Sequence, residues 1–130
     1  MATHHTGAIL IADDLQANRE SLSQLLTGFG HAVTVADSGR QALAILLTHK
    51  FDLVVLNATL ANGKSLQFLQ RLGEDQDLPL TPVMVFAGPE QMAAIAQCLA
   101  AGAEDHVVQP VEPPLLRSRI QAALERKRLR

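Results

Sequence analysis

The chain contains no Trp and no Tyr, and only four Phe in 130 residues. Aliphatic side chains must therefore build its core, and stacking platforms for single-stranded nucleic acid are scarce. The single cysteine, Cys98, has no partner for an internal disulfide, and no Cys/His cluster has zinc-site spacing. Such usage suits a reducing cytoplasm. No apolar run reaches membrane-spanning length, and no basic segment followed by an apolar stretch opens the chain. A membrane role is therefore not expected. His4 and His5 could chelate a metal, but they read first as part of a polar terminus.

What is present suits one globular domain over residues 1–130. The hydrophobic fraction is 48% and the charged fraction 18%, enough apolar surface for a core. Five short aliphatic runs recur: Ala8–Ala12, Ala32–Ala36, Leu53–Leu56, Val83–Phe86, and Val107–Val108 with its flanks. Continuous apolar runs of this length suit strands of a parallel sheet buried on both faces. Between them lie segments of helical period. Leu22, Leu25, Leu26 and Phe29 mark the first, and Ala42, Ile45 and Leu46 the second, with Ser38 as its cap. Leu66, Leu69 and Leu72 mark the third, and Met92, Ile95 and Leu99 the fourth, ended by Gly102. Leu116, Ile120, Ala123 and Leu124 mark the fifth, after Pro113–Pro114. Five β-then-α units predict a doubly wound α/β domain.

Ligands of such sheets sit at the carboxyl ends of the strands, which singles out Asp13, Asp14, Asn57, Ala87, Gly88 and Gln109. No Gly-rich phosphate loop follows the first run, where the sequence is Asp13-Asp14-Leu15-Gln16, so nucleotide-binding fingerprints are missing. Adjacent carboxylates favour a hard cation such as Mg²⁺. Taken alone, however, the pair reads first as an acidic cap on the following helix.

Four segments carry a resemblance over nearly the whole chain. They are Ile-Leu-Ile-Ala-Asp13-Asp14, then Phe51-Asp52-Leu53-Val54-Val55-Leu56-Asn57, then Thr81-Pro82-Val83-Met84-Val85-Phe86-Ala87, then Ala101-Gly102-Ala103-Glu104-Asp105-His106-Val107-Val108-Gln109-Pro110. In this order they resemble the receiver domain of bacterial two-component response regulators. The resemblance implies a flavodoxin-like three-layer αβα fold with strand order 2-1-3-4-5, two helices on one face, three on the other, and a cis bond before Pro110. It also implies phosphoryl transfer from a phosphohistidine to an aspartate ending the third strand. Asp13 and Asp14 match the family's Mg²⁺-holding acidic pair. Asn57 stands in place of the acceptor aspartate, Ala87 in place of the hydroxyl residue, and Gln109 in place of the lysine. His106 occupies the aromatic switch position, where a histidine could sense pH. The loop Leu60-Ala61-Asn62-Gly63 keeps only the family's glycine turn.

Each departure removes a chemical function. An amide is a poor nucleophile, Ala87 has no hydroxyl donor, and Gln109 is neutral where charge develops. The expectation is a degenerate pocket needing no cofactor, with weak Mg²⁺ binding at Asp13 and Asp14 and the Asn57 carbonyl as a spare oxygen ligand. Function would then rest on contact with a protein partner or output domain. The fourth helix carries no charge from Gln91 to Ala101. Met92, Ile95 and Leu99 are expected inward, leaving Ala93, Ala94, Ala96, Gln97, Ala100 and Ala101 outward. With the fifth strand and helix, and with Arg117 and Arg119, this face is the expected homodimer or output surface. The final turn, Glu125 to Arg130, could touch nucleic acid or an acidic partner, but reads first as a solvated helix end. It also suggests a piece excised from a longer regulator or hybrid kinase. Two alternatives remain: a small-molecule or metal site in the vacated pocket, and an acceptor regained by deamidation of Asn57.

Overall fold

In the computed structural model, residues 6–78 and 80–128 are described; His4, His5 and Arg130 lie outside them. Strands and helices alternate as β1 (Ala8–Ala12), α1 (Gln16–Gly28), β2 (Ala32–Ala36), α2 (Gly39–Thr48), β3 (Leu53–Asn57), α3 (Lys64–Glu74), β4 (Val83–Ala87), α4 (Met92–Ala100), β5 (Asp105–Val108) and α5 (Pro113–Arg128). Short 3₁₀ turns at Ala61–Gly63 and Pro89–Gln91 lead into α3 and α4. All pairings are parallel, and the sheet order is β2-β1-β3-β4-β5. The Gln109–Pro110 bond is cis.

Period-two alternation divides the core between the two faces of the sheet. Leu10, Val54, Leu56, Val83 and Val85 pack with Ala42 and Leu46 of α2, Phe68, Leu69 and Leu72 of α3, and Ile95 and Cys98 of α4. Ile9, Ile11, Leu53, Val55, Met84, Phe86 and Val107 pack with Leu22 and Leu26 of α1 and with Leu116, Ile120, Ala123 and Leu124 of α5. Three helices therefore lie on one face and two on the other. Ser38 Oγ accepts the Gln41 N–H at 3.0 Å, capping α2. Gly102 adopts φ 121° just beyond α4, a conformation that a side chain would resist.

The phase of α4 differs from the expectation. Met92 and Leu99 are exposed, at 48% and 36%, while Ile95 and Cys98 are buried and Ala94 and Ala101 pack against the same core. The inward stripe thus runs through residues 94, 95, 98 and 101. The sequence reading followed the largest side chains, whereas small Ala and Cys allow the helix to approach the sheet closely. Ala94 and Ala101 are consequently not outer-face positions; Ala93 and Gln97 are exposed, as expected.

The basic end of α5 folds back on the acidic body. Arg119 Nη1 lies 3.0 Å from Asp105 Oδ1, and Arg126 Nη2 lies 3.7 Å from Asp105 Oδ2. Lys127 Nζ is 3.4 Å from Asp52 Oδ1, while Asp52 Oδ2 accepts the Ala8 N–H at 2.9 Å. Arg117 lies over the Phe29 ring, 5.6 Å from its centroid, and so faces α1 instead of the α4–β5 side. As an interface candidate beside α4 it is misplaced, because the helical period turns it toward α1. Arg119 is half-exposed but engaged within the chain.

The largest buried side chain that the helix-pattern reading passed over is Phe68, 1% exposed between α3 and the sheet. Phe68→Ala should destabilise the domain by about 3–5 kcal/mol, as for other buried aromatics. Truncation of the 92%-exposed Leu80 should cost less than about 0.5 kcal/mol. Urea unfolding of the two variants checks this contrast.

Candidate functional site

The ends of β1 and β3 bring Asp13 and Asn57 together. Ala12 pairs with Leu56, so the next residue on each strand stands side by side at the sheet's carboxyl edge. Asp13 is 0% exposed and Asn57 6%. The Asn57 Nδ2–H donates to Asp13 Oδ1 at 3.0 Å. The other end of the amide is held by Thr59, whose backbone N–H and hydroxyl donate to Asn57 Oδ1 at 2.8 and 2.9 Å. A backbone N–H can only donate, so Thr59 fixes which end is the carbonyl and turns the NH₂ toward Asp13. Asn57 is thus hydrogen-bonded at both ends. Its carbonyl, expected as a spare metal ligand, instead closes the turn to Thr59, because the local two-residue contact satisfies it.

Asp13 Oδ1 also accepts the Leu15 N–H at 2.9 Å, an Asx turn that leads the chain from β1 toward α1. The helix begins after Leu15, which offers no side-chain cap; Asp13 therefore turns the chain without capping α1 in the expected way. Its backbone carbonyl accepts from Arg19 Nη1 at 2.7 Å. Asp14 is exposed, and its Oδ2 accepts the Ala61 N–H at 3.2 Å. Below the site, Ser65 Oγ donates to the backbone carbonyl of Asn57 at 2.8 Å and accepts the Leu60 N–H at 2.9 Å. Thr59, Ser65 and Arg19 were not singled out in the sequence. The Asn-x-Thr spacing of an Asx turn is a signal for Thr59, whereas Ser65 and Arg19 reach the site only through the tertiary fold.

Ala87 is 3% exposed, and β4 pairs it with Val108. The Gln109 N–H donates to the Ala87 carbonyl at 2.8 Å, placing residue 109 one step beyond the paired part of β5. Among the described residues the Gln109 side chain forms no hydrogen bond. Asn57, Ala87 and Gln109 therefore stand at the ends of β3, β4 and β5. His106 lies half-buried within β5, its carbonyl accepting from Arg119 Nη1 at 3.1 Å. Cys98 is buried in α4, and its thiol points to the Ala58 carbonyl at 3.9 Å. Burial pushes that thiol above its ordinary pKa, which suits packing and opposes thiolate chemistry.

The donor set fits a divalent cation only in part. Asp13 Oδ2 is buried without a hydrogen-bond partner, an acceptor that a cation could engage. Asp14 supplies a second, exposed carboxylate. Asn57 presents an N–H to Asp13 where a third oxygen would be needed. Among the described residues no group of three or more His, Cys, Asp or Glu side chains converges on a metal position. Two carboxylates suit a largely hydrated Mg²⁺, because this ion gives up its waters reluctantly.

A family profile described as the response regulator receiver domain matches residues 9–121. The chain is 32% identical over 123 residues to the probable transcriptional regulator ycf27 of Cyanidium caldarium, covering 95% of this chain and 47% of that protein. It is 30% identical over 106 residues to the two-component response regulator ORR3 of Oryza sativa, covering 81% of each. Thus it spans about half of the first relative and most of the second. Among solved structures, full-length FixJ of B. japonicum superposes with TM-score 0.85 at 26% identity, over 93% of this chain and 59% of that one. A putative response regulator of Chloroflexus aurantiacus also gives 0.85, at 25% identity, over 93% and 99%.

Mg²⁺ should bind wild-type protein only on the millimolar side, as followed by calorimetry or by amide shifts of residues 13–15 and 57–61. Asn57→Asp should tighten it by about tenfold or more, since one substitution removes a competing donor and adds a third carboxylate. Micromolar affinity in the wild type would contradict the reading of the donor set.

Proposed function

Since the chain belongs to the response regulator receiver family, we propose that it is a signal-transduction receiver module that has lost phosphoacceptor chemistry and acts through phosphorylation-independent protein contacts. The observation that carries this reading is the Asn57 amide, buried and hydrogen-bonded at both ends. Its nitrogen lone pair is delocalised into the carbonyl, and its N–H is committed to Asp13. Neither end offers an anionic oxygen to attack phosphorus. Ala87 brings a buried methyl where a hydroxyl would donate to a phosphoryl oxygen, and Gln109 brings a neutral amide where a cation would stabilise the transition state. The three changes converge on one pocket and remove the nucleophile, the donor and the counter-charge together.

Without a phosphoryl switch, one surface state persists. Among the described residues no helix is long and apolar enough to cross a membrane, so an aqueous partner suits the module. Its candidate surface is the outer face of α4 with β5 and α5. The exposed Met92 and Leu99 supply apolar area there, between Ala93 and Gln97 and free of charge. The chain spans about half the length of some relatives.

The unpartnered Asp13 Oδ2 favours a second reading, a metal or small-ligand site reusing the pocket. Regaining an acceptor by deamidation of Asn57 is the weaker third. Its amide is held at both ends, and Ala58 follows it, whereas the exposed Asn62–Gly63 pair is the more open site.

Acetyl phosphate or phosphoramidate with Mg²⁺ should leave the intact mass unchanged. A stable phosphoryl group mapped to residue 57 or its neighbours would sink the proposal. Asn57→Asp alone should give weak or short-lived phosphorylation, because Ala87 and Gln109 still supply neither donor nor cation.

If α4 carries self-association, sedimentation should show a concentration-dependent dimer that phosphodonors do not alter. Met92→Glu or Leu99→Glu should weaken it by about tenfold or more, by placing an unpaired carboxylate in a packed interface. A dimer that both variants leave intact would place the contact elsewhere.

A further inference from the structure

A second cavity lies beside the strand-end pocket, between α2 and α3. Its volume is about 540 Å³, within the range of roughly 300–1,000 Å³ typical of small-molecule sites. Leu43, Leu60 and Phe68 give it an apolar floor, and Arg40, Lys64 and Arg71 are among its lining residues. On α3, Lys64, Gln67 and Arg71 follow i, i+3, i+7, so they share one helix face along the groove. On α2, Arg40 and Leu43 stand on the opposite side. The first turn of α2 packs against α3: a Cβ at position 39 would stand in van der Waals contact with the Phe68 Cβ, at 3.4 Å.

The charge distribution is unusual for this chain. Residues 1–116 hold twelve acidic and only five basic side chains, yet three of those five line this groove. Among the described residues, Arg40, Lys64 and Arg71 form no ion pair or side-chain hydrogen bond. Four of the five described cations of α5 behave oppositely, since Arg119, Arg126, Lys127 and Arg128 have carboxylate partners. Cations that share one groove repel unless a ligand supplies an anion, and the part-buried Leu43 offers apolar surface beside them. Asp14 and Asp37 also line the cavity, just beyond the ends of β1 and β2. They oppose an extended acidic segment running the length of the groove and leave room for a compact anion.

We propose that the α2–α3 groove is a binding site for a small organic anion, a carboxylate or phosphate ester on an apolar body. Arg40, Lys64 and Arg71 would hold the anionic group, and the part-buried Leu43 would meet the apolar body. The site shares Asp14 with the strand-end pocket but needs no phosphoryl transfer, so it stands or falls apart from the reading above.

The test is an amide-shift titration of the whole chain with 1-naphthoate, with acetate and 1-naphthol as probes lacking the body or the anion. Saturable shifts confined to residues 38–43 and 60–71 are expected, with acetate and 1-naphthol each binding at least about tenfold more weakly. Arg40→Gln with Arg71→Gln should weaken 1-naphthoate by about tenfold or more. Both positions are exposed, so folding should persist, and thermal unfolding checks this. Asp37→Asn, which removes an opposing charge, should bind at least as tightly as wild type. Shifts scattered over the surface, equal affinity for 1-naphthol, or undiminished binding by the double variant would overturn the proposal.

Discussion

A carboxylate buried at the centre of a sheet's edge must find hydrogen-bond donors, and much of this pocket follows from that need at Asp13. Isolating such a group from water costs several kcal/mol unless donors replace the lost solvent. The Leu15 N–H and the Asn57 amide fill that role at Oδ1. Leu15 provides its donor by turning the chain from β1 toward α1. Asn57 provides its own by spending the side chain that ends β3. Thr59 then holds the opposite end of the amide, and Ser65 ties the Asn57 backbone carbonyl to Leu60 at the start of the loop. Position 57 consequently carries a structural hydrogen-bond bridge between β1 and β3. An aspartate there would bring two carboxylates to the same contact and would need a cation or a shared proton between them. With asparagine at position 57 the bridge carries its own internal donor.

Charge is partitioned as sharply as polarity. The acidic body draws the cations of α5 onto Asp52 and Asp105, which anchors the last helix across the starts of β1 and β5. Asp52 adds the Ala8 N–H, so one side chain joins β1, the approach to β3 and α5. These pairs are partly exposed, and each adds little by itself; their effect is on orientation. Arg117, one turn away, stacks over Phe29 and helps set α5 against α1. The α5 cations therefore help close the fold, whereas among the described residues Arg40, Lys64 and Arg71 of the α2–α3 groove form no ion pair.

The fold was legible because each strand reads as a continuous aliphatic run and each helix as a 3.6-residue pattern. The first four strands fall within a residue of those runs, β5 starts two residues before Val107, and the four apolar positions of α5 are all buried. Strand order and the gathering of residues 57, 87 and 109 came from the family resemblance carried by the four quoted segments. The phase of α4 was not legible. In a helix of Ala, Met, Ile and Leu, hydrophobicity hardly distinguishes one face from the next, so the fit of small residues against β4 and β5 decides which side turns inward. That choice buries Cys98 and exposes Met92 and Leu99.

By itself, the sequence determined the class of the fold and which side-chain chemistry Asn57, Ala87 and Gln109 can offer. Aliphatic periodicity is a local property, and an amide, a methyl or a neutral side chain lacks a function wherever it is placed. Tertiary structure alone decided what those residues do instead. Parallel pairing of β1 with β3 sets Asn57 against Asp13, and the turn into Thr59 fixes the direction of its amide. The same packing spends Arg119 on Asp105, turns Arg117 toward Phe29, and brings Arg40, Lys64 and Arg71 to one groove. Each of these is a contact between residues distant in the chain, and contact geometry depends on how the elements meet, which no single segment encodes.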